Sequence, residues 1–183
     1  LSEVGIQLDK AHYLQDMNEG HGTWVQAKAA GFTDQDIARL RQKRNTYYQH
    51  YLQTERIGIE GVEEVLFELS KHLRMAIVTT SKRADFQLIH QEPTITQFFD
   101  FVLVQGDYKY SKPHPDPYLT GLNRFGASKA ETLVVEDSIR GLNSAIAAGI
   151  DCAIVHNSFT MAKEFPGARY RLNALSELIE LVC

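Results

Sequence analysis

Four short, wholly apolar runs constrain this chain more than anything else in it: Met75–Val78, Phe101–Val104, Thr132–Val135 and Cys152–Val155. A strand with one face in water alternates apolar and polar residues. A run that is apolar throughout is buried on both faces. Runs of this kind, separated by helix-length segments, predict an α/β fold with a parallel sheet layered between helices. The segments between them carry helix punctuation. Val62–His72 places Val62, Val65, Leu66 and Leu69 on one side. Asp116-Pro117 ahead of Tyr118–Phe125, with Gly126 beyond, supplies an N-cap, a first-turn proline and a terminal glycine. Gly149 closes the helix after Asp137 in the same manner, and Ala174–Val182 reads as a last amphipathic helix.

The rhythm changes at Ile57-Gly58-Ile59-Glu60-Gly61, so the expected division is a helical domain over residues 1–57 and an α/β core over 58–183. In the first part, a helix around Val25–Ala30 precedes Gly31-Phe32-Thr33. A long helical stretch then runs to about Gln53, with Ile37, Leu40, Tyr47, Tyr48, Tyr51 and Leu52 at helical spacing. His21-Gly22-Thr23-Trp24 interrupts the helical pattern as a loop. A net charge of -4 gives no support for nucleic-acid binding, and no apolar run reaches membrane-spanning length. Two cysteines, Cys152 in an apolar run and Cys183 at the end, suggest reduced thiols and a cytoplasmic location. Nothing in the sequence indicates an oligomeric state.

In open parallel sheets ligands sit outside the carboxyl ends of the strands, so the polar residues just after each run are the candidates for chemistry. Thr79, Thr80 and Ser81 follow the first run; their hydroxyls and backbone N–H groups suit an anion, and equally an ordinary helix cap. Lys112 lies in Ser111-Lys112-Pro113-His114-Pro115-Asp116-Pro117. The prolines stiffen this segment, so Lys112 is either a fixed charge for a phosphoryl group or a surface lysine in a turn. Glu136 and Asp137 end the third run side by side. Two adjacent carboxylates need compensation, which a hard cation such as Mg²⁺ supplies; a capping role accounts for Asp137 alone.

Taken together, Val78-Thr79, the Ser111–Tyr118 segment and Val134-Val135-Glu136-Asp137-Ser138-Ile139-Arg140-Gly141 resemble the second, third and fourth motifs of the haloacid dehalogenase-like superfamily. The resemblance is to members with a helical cap, the phosphoglycolate phosphatase-like and β-phosphoglucomutase-like proteins, and it covers essentially the whole chain. It implies a Rossmann-like three-layer core, a helical cap in residues 1–57, and a Mg²⁺-dependent phosphatase acting on a small phosphorylated metabolite. By the same resemblance Thr79 contacts the transferring phosphoryl group, with Thr80 and Ser81 beside it, and Lys112 neutralises its charge. Asp137 ligates Mg²⁺, with Glu136 assisting. The cap would choose the substrate through His21, Thr23 and Trp24, unless these form a packed interhelical turn.

The family's first motif, an apolar strand ending in Asp-x-Asp, has no counterpart here. Asp34-Gln35-Asp36 follows Gly31-Phe32-Thr33 and precedes helical periodicity, so it reads as a helix N-terminus. The nucleophile is therefore expected in an N-terminal stretch outside these 183 residues, and the chain by itself is expected to be inactive. Without that central strand, the strands at Met75–Val78 and Thr132–Val135 either keep unpaired edges or are forced together. Each orphaned buried polar group costs about 1–3 kcal/mol. Two other readings remain: a sugar-phosphate mutase of the same fold, and a catalytically silent phosphate-binding or regulatory protein.

Overall fold

In the computed structural model the described residues are 24–55, 57–91, 94–157, 160 and 164–182, with isolated positions before residue 17. The chain divides into two units, Leu1–Arg56 and Ile57–Cys183.

In the first unit, helix α1 (Val25–Ala29) turns through Gly31, whose φ of 87° is a left-handed conformation suited to glycine, into helix α2 (Asp34–Thr54). Thr33 caps α2 reciprocally: its Oγ1 accepts from the Asp36 amide at 3.2 Å, and its own amide donates to the Asp36 carboxylate. Asp34 and Asp36 are thus first-turn acids of a helix. Trp24, Ala27 and Ile37 are buried together, with Phe32 and Leu40 packed against them.

The second unit runs α3 (Val62–Ser70), β1 (Ala76–Lys82), α4 (Arg83–Ile89), β2 (Phe101–Gln105), α5 (Asp116–Phe125), β3 (Leu133–Glu136), α6 (Ile139–Ala148), β4 (Asp151–Val155), β5 (Tyr170–Leu172) and α7 (Glu177–Val182). Every strand pairing is parallel. One apolar layer joins Tyr118 and Leu122 of α5, Leu142, Ala145 and Ala148 of α6, and Val134 and Ile154 of the sheet, with Val78 of β1 against it. The opposite layer packs Val65 and Leu69 of α3 and Leu178 of α7 on Ala153 and Leu172. Helices on both faces make the expected three-layer α/β architecture.

Pairing stops in the middle. Among the described residues β1 bonds to β2 and β3 bonds to β4, but β1 and β3 do not bond to each other. Of the two alternatives read from the sequence, the edges remain unpaired. Burial reflects this. Phe101, Leu103 and Val104 of β2 are buried, as are Cys152, Ala153 and Ile154 of β4, whereas no residue of β1 is fully buried and Val135 of β3 is 43% exposed. In a parallel sheet the inner strands should be the driest; here the strands facing the interruption are the wetter ones.

Several elements differ from the sequence reading. β1 continues to Lys82, so Thr79, Thr80 and Ser81 lie within the strand rather than after it. They occupy an irregularity, since Val78 pairs with Leu103 and the next matched pair is Lys82 with Gln105. Helix α4 and strand β5 carry too little periodic signal to stand out: α4 has seven residues and β5 is Tyr-Arg-Leu. The last helix begins at Glu177, later than Ala174. No helix among the described residues is long and apolar enough to cross a membrane.

Leu142 is fully buried at the centre of the α5–α6 layer. Leu142→Ala is expected to lower unfolding free energy by about 2–5 kcal/mol, read as a lower urea midpoint at unchanged slope.

Candidate active site

Strand β3 delivers Glu136 and Asp137 to its carboxyl end, and Ser138 then caps α6 by accepting the Gly141 amide at 3.0 Å. Glu136 does not project outward. Its carboxylate lies over the first turn of α6, where a Cβ at Gly141 would fall inside the carboxyl group. Glycine is required at that position by close approach, not by backbone angle.

Lys112 reaches Glu136 from the proline-bounded loop. Its Nζ donates to Glu136 Oε1 at 2.6 Å and to the Val78 carbonyl at 2.8 Å, so one ammonium joins the middle of β1 to the end of β3 where the sheet is interrupted. Both side chains are 9% exposed. Tyr118 lies beneath the pair, its ring 4.6 Å from Nζ and its hydroxyl donating to Glu136 Oε1 at 2.5 Å. Ser138 Oγ donates to Oε2 at 2.9 Å, and the Asp137 amide at 3.3 Å. A carboxylate has about four lone-pair directions, and these four donors occupy them.

The sequence reading gave Glu136 an assisting part at the metal, through water or as a second ligand. The structure instead makes it the counter-ion of Lys112, because every acceptor direction is already taken within the fold. Burial works against its ionisation, but the charge and hydrogen bond of Lys112, with those of Tyr118 and Ser138, outweigh it and hold the carboxyl below the usual glutamate range. Burial, and then the Glu136 charge, push the Tyr118 phenol far up, so it stays a donor.

Asp137 is the exposed acid of the pair, with Oδ2 accepting from Asn157 Nδ2 at 2.9 Å. Desolvation, followed by the adjacent Glu136 charge, raises its carboxyl above the usual aspartate range. An exposed acid destabilised by a neighbouring carboxylate suits a cation. Mg²⁺ takes one or two protein carboxylates and completes its shell with water and phosphate oxygens, so Asp137 fits it as a single ligand. Among the described residues no three His, Cys, Asp or Glu side chains gather to enclose a metal.

Thr79 keeps its hydroxyl within β1: Oγ1 donates to Ser81 Oγ at 3.1 Å and accepts the Ser81 amide at 3.2 Å. Thr80 and Ser81 are half-buried in the same irregularity. The Thr79 carbonyl accepts the Tyr108 hydroxyl at 2.8 Å. The Lys112 loop is fastened at both ends. Asp116 accepts the Lys109 and Tyr110 amides, and Ser144 of α6 donates to the His114 carbonyl at 2.7 Å.

Trp24 is a core residue of the first unit at 8% exposure, with the Arg41 guanidinium 5.8 Å from its ring centroid. His21 and Thr23, like Cys183, lie outside the described residues. Cys152 is buried, its thiol pushed up to about 12 by burial first and then by the Glu136 charge, so it is not a nucleophile at neutral pH. Tyr118, Ser138, Gly141 and Asn157 were not singled out from the sequence for this site. Gly141 had a visible signal as the glycine closing Glu-Asp-Ser-Ile-Arg-Gly, but its purpose depends on a carboxylate folding back over the helix.

Because Glu136 ionises more readily folded than unfolded, its stabilising contribution is complete above the ordinary glutamate value of 4.5 and fades as pH falls through the lower folded value. Glu136→Gln leaves the Lys112 ammonium without its counter-ion and should lower stability at pH 7 by about 3–5 kcal/mol. The variant should also flatten the acid limb of a stability–pH profile measured by urea unfolding.

Residues 7–155 match the model of the haloacid dehalogenase-like hydrolases. The chain is 30% identical over 153 residues to the protein CbbY of Rhodobacter capsulatus, covering 80% of this chain and 67% of that protein. It is 32% identical over 131 residues to phosphoglycolate phosphatase of Photorhabdus laumondii, covering 71% of this chain and 55% of that enzyme. The crystal structure of CbbY from Rhodobacter sphaeroides in complex with phosphate superposes with a TM-score of 0.75 at 21% identity, covering 97% of this chain and 84% of that one. With the parallel three-layer core and the Lys112–Glu136 centre, these likenesses establish that the chain belongs to the haloacid dehalogenase-like hydrolase family.

Proposed function

We propose that this polypeptide is a Mg²⁺-dependent phosphatase of small phosphorylated metabolites, working through an aspartyl-phosphate. The single observation that carries the reading is the buried Lys112 ammonium held between Val78 of β1 and the end of β3, with the exposed Asp137 carboxylate beside its counter-ion. Phosphoryl transfer needs little from a protein beyond positioning and charge stabilisation. A lysine locked by a carbonyl, a carboxylate and an aromatic ring is positioned before substrate arrives.

In this proposal Thr79 exchanges its bond to Ser81 for one to a phosphoryl oxygen, with Thr80 and Ser81 completing the anion-binding segment. Lys112 opposes the charge on the transferring group, while Glu136 keeps it in place. Asp137 holds Mg²⁺, which supplies charge neutralisation when bound. The nucleophilic aspartate and the general acid/base belong to a strand that fills the interruption between β1 and β3 and lies outside the 183 residues. The unpaired edges of β1 and β3 support that placement, as does the partial coverage of the longer relatives. The helical domain expected over residues 1–57 acts as the cap that selects substrate, with His21 and Thr23 as its contact candidates, while Trp24 is buried in its core. The location proposed is cytoplasmic, where a buried reduced Cys152 is at ease.

Orthophosphate release from a panel of phosphorylated metabolites by the full-length polypeptide tests this reading, with isomer formation measured in parallel to expose a mutase. Lys112→Ala should reduce kcat by about 10²–10³. Asp137→Asn should abolish the response of turnover to added Mg²⁺. Turnover near that of the unaltered protein in Lys112→Ala would refute the assignment.

A further inference from the structure

Glu136 and Asp137 are adjacent acids held by partners of different kinds. Glu136 is bound to the Lys112 ammonium, which neutralises it. Asp137 is bound to an amide: its Oδ2 accepts from Asn157 Nδ2 at 2.9 Å. The contrast matters for a cation. A lysine or arginine on Asp137 would cancel the charge that attracts Mg²⁺, whereas a neutral amide orients the carboxylate and leaves its charge in place. Asp137 also needs a restraint, because the like charge of Glu136, only partly offset by Lys112, repels it.

Strand register brings Asn157 to this place. β3 and β4 run parallel with Glu136 opposite Ile154, so the carboxyl end of β4 emerges beside Asp137. The His156 amide donates to the Leu172 carbonyl at 2.9 Å, which keeps the chain on β5 up to that residue. Asn157 then opens a closed turn. Its amide donates to Thr160 Oγ1 at 2.9 Å, and the Thr160 amide donates to its carbonyl at 3.0 Å. Thr160 is buried, and its carbonyl lies 3.3 Å from His156 Nδ1, whose ring is T-shaped against the buried Phe165. With both backbone groups spent inside the turn, the side chain of Asn157 is delivered to Asp137 from a fixed base.

We infer that Asn157 is a positioning residue of the metal site: it grips Asp137 by one oxygen so that the carboxylate meets the cation through the other, as a one-oxygen ligand. The inference rests on the reading of Asp137 as the Mg²⁺ ligand and adds what fixes its aim. The consequence is selectivity. Mg²⁺ demands near-ideal octahedral geometry, which the narrow bite of a two-oxygen carboxylate strains. Ca²⁺ is larger and takes carboxylates through one oxygen or two in a pliant shell. A carboxylate restrained at one oxygen therefore favours the smaller ion, and hydrogen-bond partners behind a ligand commonly set metal affinity.

The test is calorimetric titration of Mg²⁺ and, separately, of Ca²⁺ into the metal-free full-length polypeptide, with no substrate present. Asn157→Leu keeps the side-chain volume and removes the donor. It should weaken Mg²⁺ binding by about tenfold to a hundredfold. Ca²⁺ binding should weaken less, so that the preference for Mg²⁺ falls by at least about threefold. Urea unfolding in EDTA checks that the variant folds. Mg²⁺ affinity within about twofold of the unaltered protein would overturn the inference. Equal losses for the two ions overturn it as well, because a bond that merely fastens the turn has no reason to favour either. Should Asn157→Leu fail to fold, Asn157→Ala carries the same comparison; failure of both makes Asn157 a residue of the fold alone and overturns its role at the metal. Asp137→Asn separates the two claims. Mg²⁺ affinity retained there defeats the metal reading itself, whereas affinity lost there but kept in Asn157→Leu defeats only the role of Asn157.

Discussion

The buried ion pair between Lys112 and Glu136 is the contact on which the rest of the site depends. Two ions at 9% exposure cost several kcal/mol each to desolvate, and a pair of this kind is seldom a net source of stability. What it provides is position. The pair ties a loop near residue 112 to two strands that have no hydrogen bonds between them. Tyr118, Ser138 and the Asp137 amide spend their donors on Glu136, and Gly141 yields the space its carboxylate fills. Each of these residues makes sense once the carboxylate is placed, and none does before.

The interrupted sheet gives that pair its setting. Helices α5 and α6 lay one apolar layer across residues of both strand groups, since Val78 and Val134 pack on the same cluster. The two halves are thus held by side chains where backbone pairing is lacking. The exposure of Val135, against the dryness of β2 and β4, marks the inner edges as the least completed part of the core.

Charge distribution then divides the labour of the two adjacent acids. Glu136 is inward, saturated and held ionised by Lys112; Asp137 is outward, with an amide partner from Asn157 and a carboxyl made less acidic by its neighbour. One sequence dipeptide therefore contains a structural anion and a cation-seeking one. Their separation arises where the strand ends: Glu136 is the last residue of β3, and Asp137 lies in the turn before α6.

The sequence by itself determined the α/β class and the four strands that its apolar runs supply. Those rest on local rules: runs apolar throughout must be buried on both faces, and proline, glycine and capping residues punctuate helices wherever they occur. Glu136 and Asp137 were legible as polar residues following an apolar run, and Lys112 as the cation of a segment stiffened by prolines. The tertiary structure decided which partner each one takes. Whether Glu136 serves a metal or a lysine depends on which donors reach it from α5, α6 and the proline loop, and the distance in sequence from Lys112 or Tyr118 to Glu136 encodes none of that. The irregularity that keeps Thr79–Ser81 inside β1 was likewise beyond local pattern. Such features arise only when distant segments compete for the same few hydrogen bonds in a space with little water.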